Sequence, residues 1–317
     1  EHRFGTNPCS EIILRDAEFC NLTEVVVREN DTVESLKRKI RLATILGTWQ
    51  STLTNFRYLS SAWKNNCEEE RLLGVSLTGI MDCETTRCID KLEFRLEEMR
   101  RVAIDTNKEF AGKIGIPQSA ATTCVKPSGT VSQLVDAASG IHARHNEHYI
   151  RTVRADNKDP LCQFMKDKGF PHEACVMKPE NVTVFAFPTK SPNGCVTRTD
   201  MTALEQLELW LIYQRHWCEH KPSVTISVKE HEWMEVGAWV WNHLDEISGI
   251  SFLPFSDHVY KQAPYQDIDE ETYIKELENL PQSVNWEELA NYEKEHNTSG
   301  TQTYACSGDS CEVVDLT

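Results

Sequence analysis

Residues 4 to 22, FGTNPCSEIILRDAEFCNL, place an amide, a thiol and a carboxylate at alternate positions: Asn7, Cys9 and Glu11. In an extended loop, side chains at i, i+2 and i+4 point the same way, so these three would face one space. Pro8 stiffens the chain between them. Together they offer a hydrogen-bond donor, a nucleophilic or one-electron sulfur, and a general base. A second thiol, Cys20, follows eleven positions after Cys9.

Two further stretches have chemical content. KPSGT at 126–130 is a candidate phosphate site. Ser128 and Thr130 offer hydroxyls, Gly129 permits close backbone approach, and a helix start behind it would present free N–H groups. The same residues also make an ordinary turn followed by an N-cap. Cys306 and Cys311, in YACSGDSCEVVDLT, sit among small and polar residues near the C-terminus. Thiols there can exchange with a disulfide, hold a metal if two more ligands are near, or do neither. Cys83 and Cys88 share that spacing and read as structural, as do Cys67, Cys124, Cys162, Cys175, Cys195 and Cys218. His142, His145 and His148 would not share one strand face, and no HExxH or Cys/His zinc pattern occurs, so no metal site is expected. Trp210, Trp217, Trp233, Trp239 and Trp241 fall on helical faces and read as core.

The elements that would position these groups alternate in type. NLTEVVV (21–27) has strand character, and helical spacing runs from about Thr32 to Arg71, with Asp31 or Thr32 as N-cap. LLGVSLTGI (72–80) reads as a buried strand and 91–115 as an amphipathic helix ending near Gly115. Strands are expected at HYIRTVRA, at VTVFAFPT (182–189) and at SVTISV (223–228), and helices at about 159–169, 201–217 and 229–244. Strands alternating with long helices argue an α/β fold.

Composition bounds the rest. The 317 residues are 40% hydrophobic and 26% charged, ample for a core and unlike a disordered chain. A net charge of −16 argues against a nucleic-acid polymer as partner. No apolar run reaches the length of a membrane span. Twelve scattered cysteines in a long chain fit cytoplasmic thiols better than a disulfide-stapled secreted domain.

The N-x-C-x-E run of 7–11, its Pro8 and the short gap to Cys20 resemble the finger loop of ribonucleotide reductases. The match is nearest to the monomeric, adenosylcobalamin-dependent (class II) ribonucleoside-triphosphate reductases. Four landmarks follow in the matching order: GVSLTGIMD, KPSGTVSQL, WCEHKPSVTISV with SFLPFSDHVYKQAPY, and the terminal cysteine pair. The resemblance covers nearly the whole chain. It implies the C-terminal half of a ten-stranded α/β barrel, of the type shared by ribonucleotide reductases and glycyl-radical enzymes. Residues 1–22 would be the finger loop, 23–266 the second barrel half, 267–293 an acidic region and 294–317 a flexible redox tail.

By that resemblance Cys9 is the radical cysteine and Glu11 the base for a ribose 3′-hydroxyl. Asn7 orients the sugar, and Cys20 is one of two reducing thiols. Ser128, Gly129 and Thr130 would hold substrate phosphate. Cys306 and Cys311 would relay electrons from thioredoxin or a similar dithiol donor. Adenosylcobalamin is the implied cofactor and a ribonucleoside triphosphate the implied substrate. The chain lacks the D-x-H-x-x-G segment that supplies a cobalt ligand elsewhere, as the monomeric enzymes do. The second reducing thiol and the first barrel half would lie in a missing N-terminal portion, needed as partner for turnover. Two rival readings are a diphosphate-reducing large subunit with a separate radical generator, and a non-catalytic cysteine-rich redox or zinc module. Tyr292 and Tyr304 are not adjacent, which counts against a tyrosine radical relay.

Overall fold

The computed structural model describes residues 3–255 and 261–293, and the backbone alone of 303–307 and 310–314. The chain opens with β1 (Phe4–Thr6), β2 (Ile13–Arg15), β3 (Asn21–Val26), α1 (Val33–Gln50), α2 (Ser61–Glu70), β4 (Leu73–Thr78), α3 (Glu84–Arg87) and α4 (Leu92–Ile114). Next come β5 (Thr123–Cys124), α5 (Val131–Leu134), β6 (His148–Asp156), α6 (Pro160–Asp167), β7 (His172–Ala174), β8 (Val182–Lys190) and α7 (Ala203–His216). It continues through β9 (Val224–Val228), α8 (Trp233–Asn242), β10 (Ile250–Pro254), β11 (Tyr265–Asp267), α9 (Glu270–Glu278), β12 (Thr303–Ser307) and β13 (Ser310–Val314). Two compact units result: residues up to Arg144 with Gly194–Phe255, and His145–Asn193 with the residues after 255. That boundary falls inside the stretch 23–266, which reads as continuous in the sequence.

The first unit is built on parallel strands. β3, β4 and β5 pair side by side, and β9 pairs with β10. A parallel bridge between Val125 and Pro222 links the two groups. Parallel neighbours need long crossovers, and α1 with α2, then α3 with α4, supply the first two. Alternation gives the three-stranded sheet two different faces. Val25, Val75, Leu77 and Val125 join the apolar core with Leu36, Ile40, Leu96, Met99 and Trp210 of the helices. The opposite parity carries Cys20, Leu22, Glu24, Gly74, Ser76, Cys124 and Lys126. This second face receives the finger hairpin. A side chain at Gly74 would collide with Leu22 at 2.4 Å and would crowd Ile12 and Cys124, so the close approach requires glycine.

α7 and its C-cap residue Trp217 fix the far side of this sheet with three buried aromatics whose polar tips are all satisfied. Trp210 Nε1 donates to Pro222 O at 2.7 Å, Trp217 Nε1 to Cys124 O at 2.8 Å, and Tyr213 OH to Thr86 O at 2.8 Å. A Thr202–Glu205 capping box starts the helix.

Two sequence expectations need correction here. The helix expected over 32–71 is broken: α1 ends at Gln50, with Ser51 as its C-cap, and residues 52–60 form no helix. Threonine hydroxyls there compete with the helical ladder, Thr52 Oγ1 donating to Trp49 O and Thr54 Oγ1 to Glu68. Leu42, Leu46 and Trp49 of α1 are exposed. Not every tryptophan is core either. Trp210, Trp217 and Trp239 are buried, whereas Trp233 and Trp241 stand on the outer side of α8.

The second unit holds an antiparallel sheet in the order β11-β6-β8-β7, with Arg151 stacked over the Tyr265 ring at 4.4 Å. β12 and β13 pair antiparallel with Cys306 directly opposite Cys311. The architecture is thus mixed α/β, and its described strands do not close into a barrel. No helix among the described residues is long and apolar enough to cross a membrane.

Candidate active site

Asn7 shapes the turn that joins β1 to β2. Its Oδ1 accepts from Ile12 N at 3.0 Å, its N–H donates to Ile12 O at 3.3 Å, and its carbonyl accepts from Ser10 N at 2.9 Å. Ser10 adopts a left-handed φ of 63°. The loop is therefore a tight reversal rather than an extended strand, and alternation is not what aligns its side chains. Cys9 is half-buried on this turn, while Glu11 is completely buried.

What brings the thiol and the carboxylate together is Lys126. Its ammonium lies 2.9 Å from Glu11 Oε1 and close to the Cys9 sulfur. Burial pulls this lysine down, but the Glu11 carboxylate and then Cys9 carry it net upward, so it stays charged. Its backbone is fixed as well, with Lys126 N donating to Ser76 Oγ at 2.9 Å. The main chain of Glu11 is held from the other side, where its carbonyl accepts from Lys221 N at 3.0 Å. Glu11 Oε2 remains buried with no hydrogen-bond partner among the described residues. An unpaired buried carboxylate oxygen is costly, and it marks where a donor from a ligand would fit.

The surroundings are tuned for protonated thiols. Burial, with help from the Glu11 and Glu18 carboxylates, pushes the Cys20 thiol far up. Cys124 is shifted the same way by burial, and Cys20 and Glu11 also act on it. Burial lowers Lys221 and His220, although Glu11 opposes both shifts. His220 Nε2 lies 2.8 Å from Leu73 O, which assigns the proton to that nitrogen. The site thus contains a buried carboxyl group, one firm cation, and two thiols, Cys20 and Cys124, that burial holds above the usual thiol range.

The candidate phosphate turn follows Lys126 directly. Ser128 is buried, and its hydroxyl accepts from Ser132 N at 3.0 Å, so it braces the turn. Gly129 and Thr130 are exposed. The helix behind them, α5, is a single turn with no side-chain cap. Cys306 and Cys311 are described as backbone only, and their side chains lie outside the described residues. None of the ten cysteines whose side chains are described is in a disulfide.

No protein-family model matches the chain. Curated proteins do. It is 30% identical over 312 residues to the adenosylcobalamin-dependent ribonucleoside-triphosphate reductase of Euglena gracilis, covering 97% of this chain and 42% of that one. The reductase of the same name from Lactobacillus leichmannii is 27% identical across 88% of this chain and 41% of its own length. A crystal structure of a B12-dependent (class II) ribonucleotide reductase matches with a TM-score of 0.76 and 25% identity, over 90% of this chain and 43% of that one. The chain is related to the class II ribonucleotide reductases. It spans about two fifths of the length of the curated relatives that it matches.

The class II likeness directs attention to Asn7, Cys9, Glu11 and Cys20 but not to Lys126 or Lys221. A signal for both was present. The tripeptide Lys-Pro-Ser occurs at 126–128 and again at 221–223, and the two copies are bridged through Val125 and Pro222. Both lysines face Glu11. Among the described residues no cluster of three or more metal-ligating side chains occurs. His142 is engaged by Ser139 O and Thr225 N, and His145 pairs with Asp267 at 2.7 Å.

Proposed function

We propose that this chain carries the substrate-reducing chemistry of an adenosylcobalamin-dependent ribonucleoside-triphosphate reductase. The observation behind this reading is Glu11 Oε2, a buried acceptor with no hydrogen-bond partner among the described residues, in the finger hairpin packed on the sheet face that bears Cys20. A ribose 3′-hydroxyl is a donor suited to it. Cys9 meets the one demand the cofactor makes of the protein: a hydrogen atom on an accessible thiol. Adenosylcobalamin, when bound, would supply a carbon-centred radical. This chain's residues would act in the remaining steps, with one reducing thiol coming from outside it. The Cys9 sulfur, as a radical, takes the 3′ hydrogen atom while Glu11 takes the 3′-hydroxyl proton. The 2′-hydroxyl leaves as water, protonated by a thiol. Cys20 and a second thiol give two electrons, end as a disulfide, and Cys9 returns its hydrogen atom to C3′. One ribonucleotide and two thiols become one deoxyribonucleotide, one water and one disulfide.

We assign the parallel strands β3, β4, β5, β9 and β10 to one half of a ten-stranded barrel, completed by an N-terminal half. Gly129 and Thr130 are the exposed members of the phosphate turn, with Ser128 bracing it. The opposed register of Cys306 and Cys311 suits a pair that closes to a disulfide and reopens. Thioredoxin or a similar dithiol protein in the cytoplasm would recharge it.

The test supplies a ribonucleoside triphosphate, adenosylcobalamin and dithiothreitol to the chain joined to the remainder of its relatives' length. Chromatography of the product should show the deoxynucleotide. Glu11→Gln should lower kcat by about 10²-fold or more, the usual worth of a general base, and an unchanged kcat would refute its role. Cys306→Ser should keep the dithiothreitol-driven rate and lose the thioredoxin-driven one. Equal rates with both reductants would remove the tail from the pathway.

A further inference from the structure

Glu11 and Cys9 meet at one cation, and that cation belongs to the strand end that leads into the candidate phosphate turn. A carboxylate with no exposed surface stays ionised only with a partner charge in hydrogen-bond contact. Three basic groups approach Glu11: Lys126, Lys221 and His220. Among the described residues, Lys126 is the one that brings its ammonium into contact with the carboxylate, at 2.9 Å. Its contact takes Oε1 and leaves Oε2 for a ligand. Its backbone cannot drift. Lys126 N is bonded to Ser76, and Lys126 O is packed so closely that a Cβ at Gly140 would lie 2.5 Å from it.

We propose that Lys126 is the positioning residue for the Glu11 base: it orients the carboxylate, holds it charged, and ties it to the turn at 128–130. This deepens the reading of the site given above and rests on it. The residue is not catalytic in itself, because it acts through Glu11 and Cys9. One short segment, Lys126–Thr130, then serves two ends of one substrate. Its ammonium aims the base at the sugar, and its exposed turn meets the phosphate. Sugar and phosphate are separated by a fixed length in a nucleotide, so a rigid link between the two subsites favours a correctly seated substrate.

The experiment measures kcat and KM from pH 6 to 9 for the complete enzyme with Lys126 unchanged, Lys126→Arg and Lys126→Met. No deoxynucleotide from the unchanged enzyme would count against the activity reading itself. Given turnover, Lys126→Met should lower kcat by about 10²-fold or more, the scale of a lost general base, with KM for the nucleotide within about threefold. Its acid limb should also move to higher pH, because a buried carboxylate without its cation takes up a proton more readily. The groups facing Glu11 whose own titration could contribute are Cys9, Cys20, Cys124, His220 and Lys221. All are common to the three proteins, so a shift between them reports position 126. Lys126→Arg should recover most of kcat and the original acid limb. If Lys126→Met fails to fold, judged by the fluorescence of buried Trp210 and Trp217, Lys126→Gln replaces it with the same expectations. A kcat within threefold of the parent would overturn the proposal. So would equal losses in the arginine and uncharged variants with an unmoved acid limb.

Discussion

Under the proposed function, Cys9→Ala in the complete enzyme is expected to abolish deoxynucleotide formation, and an excess of dithiothreitol should not restore it. The thiol is the one group in the turn able to lose a hydrogen atom and later give it back. A dithiol in solution has the same chemistry but not the same place. Positioned groups outperform free ones by effective concentrations of roughly 10⁵ M or more, so the rate should fall below detection rather than by a modest factor. The loss should not come from misfolding. The turn is held by Asn7, Ser10 and Ile12 through backbone and amide hydrogen bonds, and the recorded interaction of Cys9 is with Lys126. Circular dichroism and tryptophan emission should therefore match the parent chain. Residual activity above about one per cent of the parent, with folding intact, would mean that another atom starts the chemistry. Cys20→Ala provides the contrast. On the proposed reading it removes a reductant rather than the initiating sulfur, so in the complete enzyme cofactor cleavage should persist in that variant while multiple turnover stops.

Much of the first unit is legible in the sequence because periodicity and caps act locally. The apolar run at 72–80, the amphipathic helix at 91–115 and the strand at 223–228 all appear close to their expected bounds. Expectation fails where a choice depends on distant partners. Residues 52–60 have helical spacing, but their threonines bond to Trp49 and Glu68 instead of continuing the ladder. The finger loop is a subtler case. Its three residue types point to the right chemistry, yet the geometric argument from alternation does not describe a turn reversed at Ser10. Cys9 and Glu11 converge because a lysine more than a hundred residues away reaches both. Nothing local to residues 7–11 encodes that lysine. The repetition of Lys-Pro-Ser at 126–128 and 221–223 points to it, once the parallel bridge between Val125 and Pro222 is known.

Arg144→Met is expected to destabilise the first unit more than any surface substitution, by about 3–5 kcal/mol, the cost of breaking a buried ion pair from one side. Arg144 is 4% exposed and forks onto Asp82, with Nε and one terminal nitrogen at 2.9 and 3.0 Å from its two oxygens. The other terminal nitrogen reaches Asp136 at 2.9 Å. Bidentate geometry makes this the strong form of the contact. Without the guanidinium, Asp82 keeps only the Ala138 N–H, at 2.8 Å, among its described donors, and is left a poorly compensated buried charge. The effect reaches the active site through the chain between the pair. Residues 136–144 lie on the ends of β4 and β5, where Gly140 N bonds Thr78 Oγ1 and packs beneath Lys126 O. Urea unfolding followed by Trp210 and Trp217 emission should show a midpoint lower by about 1–2 M, given usual denaturant slopes for a domain of this size. Asp82→Asn in the same background removes the stranded charge, so the double variant should be more stable than the sum of the single losses implies. Strictly additive losses, or a midpoint that does not move for Arg144→Met, would mean that the segment backing Lys126 is held in place by something other than this ion pair.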